Sequence, residues 1–534
     1  MSNLNTVMSQ AAAAGTAPDG AWDLSYAYFD DPFAWDLSTA VYLSKSFSVA
    51  GQETGTRGVS LSPDGTKMYI VGVTGDDVNQ YTLSTPFLVS SATYVQNFSV
   101  SSQEPSPSSV FFKTDGTKMY ISGTSSDRVN EYDLSTAWDV STASYLQNLS
   151  VTPQVNGVFI RSDGLKMYTV DSSTDRVYEY DLSTAWDVTT ASVLQNLSVG
   201  AQESTPEGLS FKSDGTKMFV LGNTGDDVTE YDLSTAWDIS TATVSTTFSV
   251  SGQDSNSRGL FIGANGGYMY VVGATAPSTV YQYSLGGFNV GTQEQTIEGI
   301  FFKPDGTKLY ICGTAGDEVN EYDLSTAWDL STASFLQALN VYSQTRDPAS
   351  LFFKPDGTVM YVASQQLTKT IFYYSLSSPW DISTAVFATS ITIGTEVASP
   401  TGVFFKPDGT KMYVSGSSGD DVNEYDLSTA WDVGTATYSQ NFSVAAQDTS
   451  PQEVFFKDDG TKMYILGDTN NKVYEYELST AWDVSTASYI KDFFINNSGG
   501  SLRGGLFFKP DGTKMYLGDF QTDSIYSYTL GVQE

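Results

Sequence analysis

The chain has 534 residues, 61 Asp and Glu against 26 Lys and Arg, a formal net charge of −35, one cysteine and no histidine. So acidic a chain repels a nucleic-acid backbone and opposes adsorption to an anionic membrane. The lone Cys312 permits no disulfide within the chain, and no stretch approaches the ~18 consecutive apolar residues of a membrane-spanning helix.

The first 34 residues carry no early Lys or Arg and only a weak apolar run, so they do not read as a signal peptide. They hold an isolated "AWDLS" at residues 21–25 and otherwise lack the pattern that follows. A strand-like "STAVYLSKSFSV" comes next, at residues 38–49.

From there one unit is written ten times. Its marker is an Asp-Gly or Asn-Gly pair beginning at Asp64, Asp115, Asp163, Asp214, Asn265, Asp305, Asp356, Asp408, Asp459 and Asp511. A period near 50 residues without helical periodicity points to propeller blades. In the eighth unit, "GVFFKP" (402–407) predicts strand A and "DGT" a tight hairpin. "KMYVSG" (411–416) predicts strand B, "SSGDD" a second turn, and "VNEYDL" (422–427) strand C. The phrase "STAWDV" links strand C to strand D, "TYSQNFSV" (437–444), and a polar loop leads to the next unit. Such a sheet is apolar on both faces. Radial stacking buries them, and ring closure removes the exposed ends.

The expected fold is therefore all-β, a propeller of ten four-stranded blades. The last unit lacks strand D, and an N-terminal strand is expected to close that C-terminal blade. The fifth unit lacks the STAWD phrase and runs from "VYQYSL" through Gly286-Gly287 into "FNVGTQEQ". Two tandem five-bladed rings fit, 35–285 closed by the N-terminal D-like strand and 286–534 closed by "GGFNV", and so does one ten-bladed ring over 35–534. Residues 1–34 stand as an N-terminal extension.

Strand alternation sorts the turns onto two rims. One carries Lys-Pro-Asp-Gly-Thr-Lys and Ala-Trp-Asp. The other is expected to be a strongly acidic face, with Asp76, Asp77, Asp226, Asp227, Asp317, Glu318, Asp420 and Asp421 in B–C turns and Glu53, Glu104, Glu203, Asp254, Glu294 and Asp448 in D–A loops. Asp76, Asp77, Asp226, Asp227, Asp420 and Asp421 are the candidates for a calcium contact, the one cofactor considered, although no EF-hand spacing is present. Every tryptophan precedes an aspartate. The phrase reads as a latch, with Trp against the blade edge and Asp on nearby backbone. The alternative is a ring of exposed indoles stacking on sugars, at Trp138, Trp186, Trp237, Trp328, Trp431 and Trp482. Cys312, in "LYICGT", reads as a small buried hydrophobe.

No catalytic constellation emerges. The missing histidine removes Ser-His-Asp triads and His-ligated metals, the single cysteine removes a Cys zinc site, and there is no P-loop or nucleophile elbow. Carboxylate pairs keep a glycosidase among the alternatives, but these acids recur at equivalent positions in many blades, whereas an active site is a unique cluster.

The repeat at residues 404–444, "FFKPDGTKMYVSGSSGDDVNEYDLSTAWDVGTATYSQNFSV", resembles repeats of tailed-phage virion proteins, marine ones especially, and of bacterial surface proteins grouped with lactonase-like or WD40-like propellers. The resemblance spans residues 35–534 and is more specific for fold than for activity. It implies a non-enzymatic virion protein: a tail fibre, baseplate adhesin or head decoration. Residues 1–34 would join other virion proteins, several copies would sit on a particle, and the blades would touch a host-surface polysaccharide. The alternatives are a polysaccharide-acting enzyme with channel carboxylates and a ligand-free scaffold.

Overall fold

A computed structural model of the chain describes residues 22–24, 27–29, 31, 34–151, 154–263, 266–365, 369–397, 399–495 and 503–530. They form ten antiparallel sheets, nine of them four-stranded. Blade eight shows the pattern: strands Pro400–Phe405, Lys411–Gly416, Asp421–Leu427 and Ala436–Ser443, hydrogen-bonded in that order. The first three are buried almost throughout. The fourth alternates exposed and half-buried positions and forms the blade's outer edge. Gly409, at φ +73°, makes the A–B hairpin a left-handed turn that an L side chain resists, and Asp408 caps it by accepting from Thr410 N at 2.9 Å. Among the described residues no helix is long and apolar enough to cross a membrane.

The chain divides into two compact units, Ala34–Gly286 and Met1–Phe33 with Gly287–Glu534. The first contains blades one to five and the second blades six to ten. Each is a closed ring. In the first, the Tyr69, Tyr120 and Tyr168 hydroxyls donate to the carbonyls of Trp138, Trp186 and Trp237 on the following blade at 2.7, 2.8 and 2.6 Å. Phe219 of blade four stacks on Trp35, and Tyr270 of blade five donates to the Phe87 carbonyl of blade one at 2.8 Å, which completes the circle. In the second, Tyr310, Tyr361, Tyr413, Tyr464 and Tyr516 donate in turn to Trp380, Trp431, Trp482, Trp22 and Trp328, so blade ten returns to blade six.

The closing strands follow the two-ring reading, with one addition in blade ten. Strand Val41–Ser48 pairs with Thr279–Ser284 and completes blade five, not the C-terminal blade. Blade ten takes its fourth strand from two separate pieces: Ala27–Phe29, which pairs with Tyr528 to Leu530, and Phe288–Asn289, which pairs with Ser524 and Ile525. Asp31 joins them. Its buried carboxylate accepts from Gly287 N and Ser527 N, both at 3.0 Å, so backbone that neither piece reaches is still satisfied. The reading of 1–34 as a stretch outside the rings changes accordingly. Its described residues 22–24, 27–29 and 31 are built into blade ten, because a blade with three strands leaves an edge unpaired, and Ala34 begins the first unit. The rest of that segment, residues 1–21, lies outside the described residues.

Candidate functional site

The repeated phrase is an inter-blade latch built one side chain at a time. In blade two, Trp138 lies over Gly116 so closely that a Cβ there would meet the indole at 2.3 Å. Its carbonyl accepts from Tyr69 Oη and, at 3.1 Å, from Lys67 Nζ of blade one. Asp139 caps the short 3-10 turn Val140–Thr142 through Ser141 N and reaches back to accept from Gln96 Nε2 of blade one at 2.6 Å. The buried Glu131, opening the phrase, accepts from Lys118 at 2.6 Å, from Gln147 at 2.9 Å and from Val188 N of blade three at 3.2 Å. The charge is thereby paired and hydrogen-bonded on every side, which a carboxylate at zero exposure requires. All ten blades set an aromatic ring over the hairpin glycine. Phe87 does so in blade one, and Trp35 and Trp22, supplied from the N-terminal segment, do so in blades five and ten.

The stacking candidates are thus held in the rings' own packing. Trp186 is buried, and Trp138, Trp237, Trp328, Trp431 and Trp482 are half-buried. Trp482, for example, stacks with Phe404 and contacts Tyr413 and Phe456.

The expected acidic rim is not an acidic surface. Glu53, Glu104, Glu203, Asp254, Glu294 and Asp448 are all buried. Glu104 shows why: it accepts from Ser106 N, Ser125 N and Ser126 N and so ties the D–A loop to the B–C turn. Glu203, Glu294 and Asp448 repeat the arrangement. Asp76, Asp226 and Asp420 occupy left-handed positions near φ +50°, where Asp is tolerated, and their carbonyls accept from the end of strand D. Asp77 and Asp421 each accept from two Asn side chains. Burial, followed by the nearby Glu203, holds the Asp227 carboxyl above its usual range. Among the described residues no three acidic, Cys or His side chains converge as metal ligands. Exposed acids lie on the other rim, where Asp115, Asp305 and Asp408 pair with the lysine two residues before them, and Glu396 is an exposed acid of the rim expected to be acidic.

The two ring axes differ, and strand A decides how. In blades six to ten its central residue is Phe301, Phe352, Phe404, Phe455 and Phe507. Each ring meets the next edge to face at 5.2–5.4 Å, and the cycle closes between Phe301 and Phe507. This rosette leaves a void of only about 10 Å³. Behind it lies Glu453, which burial raises to about 8 although Ser350 Oγ donates to it at 2.8 Å; burial raises Glu298 to about 8 as well, against a nearby Arg503. In blades one to five the same position reads Ser60, Phe111, Phe159, Ser210 and Phe261, and the axis holds a cavity of about 210 Å³. Its inner end reaches Glu207, whose carboxylate is gripped by Arg258 Nη1 and by Asn156 Nδ2 at 2.6 Å. Its other end reaches the exposed Pro63, Thr114, Ser162 and Ser213 beside Trp138 and Trp237. Cys312 is fully buried, and burial pushes its thiol well up, so it is no nucleophile at neutral pH.

This cavity escaped the sequence reading, yet its signal was present. Strand A reads "GVSLSP" and "GLSFKS" in units one and four, with serine at the place where every other unit has phenylalanine.

No known family profile matches the chain, and no curated protein matches it. Solved structures similar to it include two provisionally assigned 6-phosphogluconolactonases, from Bacteroides uniformis and Bacteroides fragilis, and a protein from Lactobacillus plantarum. Each is 14% identical at a TM-score of 0.28. They cover 70%, 71% and 69% of this chain, and 93%, 95% and 93% of their own. At that TM-score the likeness brings no residue role and no activity to this chain.

Proposed function

We propose that the chain is a non-enzymatic virion protein, a tail-fibre, baseplate or head-decoration component, whose blades touch a host-surface polysaccharide. The particle assignment rests on the resemblance of the repeat. The observation that carries the contact is on the outer strands. Tyr94, Tyr145, Phe335, Phe387, Tyr438 and Tyr489 all occupy the third position of strand D and are 38–46% exposed. Each is held T-shaped against a buried tyrosine of strand C, as Tyr438 is against Tyr425 at 5.8 Å. A ring fixed in this way is a ready stacking platform for a pyranose. In the second unit it recurs on four successive blades, six to nine, which favours avidity for a repetitive polymer. Sugar stacking thereby moves from the latch tryptophans to the outer-strand aromatics.

The test is binding of the purified chain to envelope polysaccharides of candidate hosts, repeated with Phe335, Phe387, Tyr438 and Tyr489 all changed to Ala. Saturable binding that weakens at least tenfold in the variant supports the reading. Equal binding moves the contact elsewhere, and no binding to any polymer leaves a scaffold without a ligand.

A further inference from the structure

The two axes share one design and differ in the strand-A side chains that fill them, which makes the second unit a built-in reference for the first. Five phenyl rings fill the axis of blades six to ten. In blades one to five, two of the five are replaced by Ser60 and Ser210, in the first and fourth places around the ring. Phe111 and Phe159 keep their contact at 5.4 Å, whereas Phe261, flanked by the two serines, has no axial aromatic neighbour among the described residues. The missing volume is therefore the space of aromatic rings. It lies beside Phe261, walled by aromatic and branched aliphatic side chains such as Val59, Leu209 and Leu260.

A second observation gives the vacancy a polarity. Ser60 and Ser210 are 4% and 6% exposed, they line the cavity, and among the described residues their hydroxyls have no hydrogen-bond partner. Both hydroxyls are open to the cavity and free to donate to or accept from an occupant. The other polar groups at the inner end already have partners: Ser108 donates to Val155 O at 3.0 Å, and Glu207 is held by Arg258 and Asn156.

We infer that the axial cavity of blades one to five is a binding site for a small phenolic molecule, a single aromatic ring carrying a hydroxyl. The ring occupies the space that phenylalanines fill in the other unit, edge to face with Phe261 and Phe159, and its hydroxyl bonds Ser60 or Ser210. The volume agrees: a dry cavity of about 150 Å³ is enough to hold benzene. This site is independent of the polysaccharide contact on the outer strands.

The full-length protein is titrated calorimetrically with phenol and, separately, with benzene. One phenol per chain, bound at least tenfold more tightly than benzene, is the expected result. Ser60→Ala with Ser210→Ala keeps the cavity and should erase the preference for phenol while benzene still binds. Ser60→Phe with Ser210→Phe rebuilds the rosette and should abolish binding of both. The inference is overturned if phenol does not bind the native chain, if it binds no better than benzene, or if the rebuilt variant melts normally and still takes phenol.

Discussion

Glu453 stands where most inner strands carry glycine or serine, and its neighbourhood decides its protonation. Burial lifts its carboxyl from the usual 4.5 to about 8, so the folded unit holds a proton that the unfolded chain releases. The sign follows from linkage. A carboxyl raised by folding contributes stability that is whole below the unfolded value and lost as pH rises through the folded one. Blades six to ten should therefore melt progressively lower between about pH 4.5 and pH 8. Glu298 acts in the same window. Glu453→Gln should flatten that profile and raise the melting temperature at pH 8 while leaving it unchanged near pH 4, as followed by calorimetry. Each pKa unit corresponds to about 1.4 kcal/mol. A variant profile as steep as the native one would show that this carboxyl is not the buried acid responsible. The same scale explains the glycines: Gly116 is required both by its φ of +73° and by the indole packed against it.

At the scale of the element, the linker between strands C and D is what carries blade-to-blade adhesion. A tight connection joins strands within a blade, but in blade nine the Trp482 carbonyl accepts from Tyr413, and the indole packs on Phe404 and Phe456 of blades eight and nine. Replacing the ring and replacing the hydroxyl should therefore differ in size. Tyr413→Phe removes one hydrogen bond and should lower the unfolding free energy by about 1 kcal/mol. Trp482→Ala removes the packing as well and should cost about 3 kcal/mol. Urea titration of both variants measures the difference, and equal losses would mean that the ring contributes nothing beyond positioning its carbonyl. The turn acids belong to the same scale. Carboxylates such as Glu104 hold two loops by accepting three backbone N–H groups, which is why they recur in six blades without forming a surface.

For the whole molecule, the N-terminal segment serves both rings by different parts. Trp22, Ala27–Phe29 and Asp31 complete blade ten, whereas Trp35 and Val41–Ser48 complete blade five. Deleting residues 1–33 should open blade ten and speed amide exchange in strand Ser524–Leu530 and the latch of blade nine, with blades one to five unchanged. Extending the deletion through residue 48 should open blade five as well. If the shorter truncation exchanged like the native chain throughout, the composite fourth strand would not be what closes that ring.

The sequence by itself determined the blade. Period, hairpin glycines, strand alternation and the recurrent Trp-Asp are local signals, set by backbone sterics and by which residues must be buried, and each repeats often enough to be read without ambiguity. It also showed that strands were missing at units five and ten. Two things were decided only by tertiary structure. The partner of each closing strand depends on contacts hundreds of residues apart, so "AWDLS" at 21–25 could not be distinguished from a stray copy until its Trp22 lay over Gly512. Whether a charged or aromatic side chain faces water depends on what packs above it. Glu104 and Trp186 are turned inward by neighbouring backbone and rings. The loss of two phenylalanines becomes a cavity only because five inner strands converge on one axis.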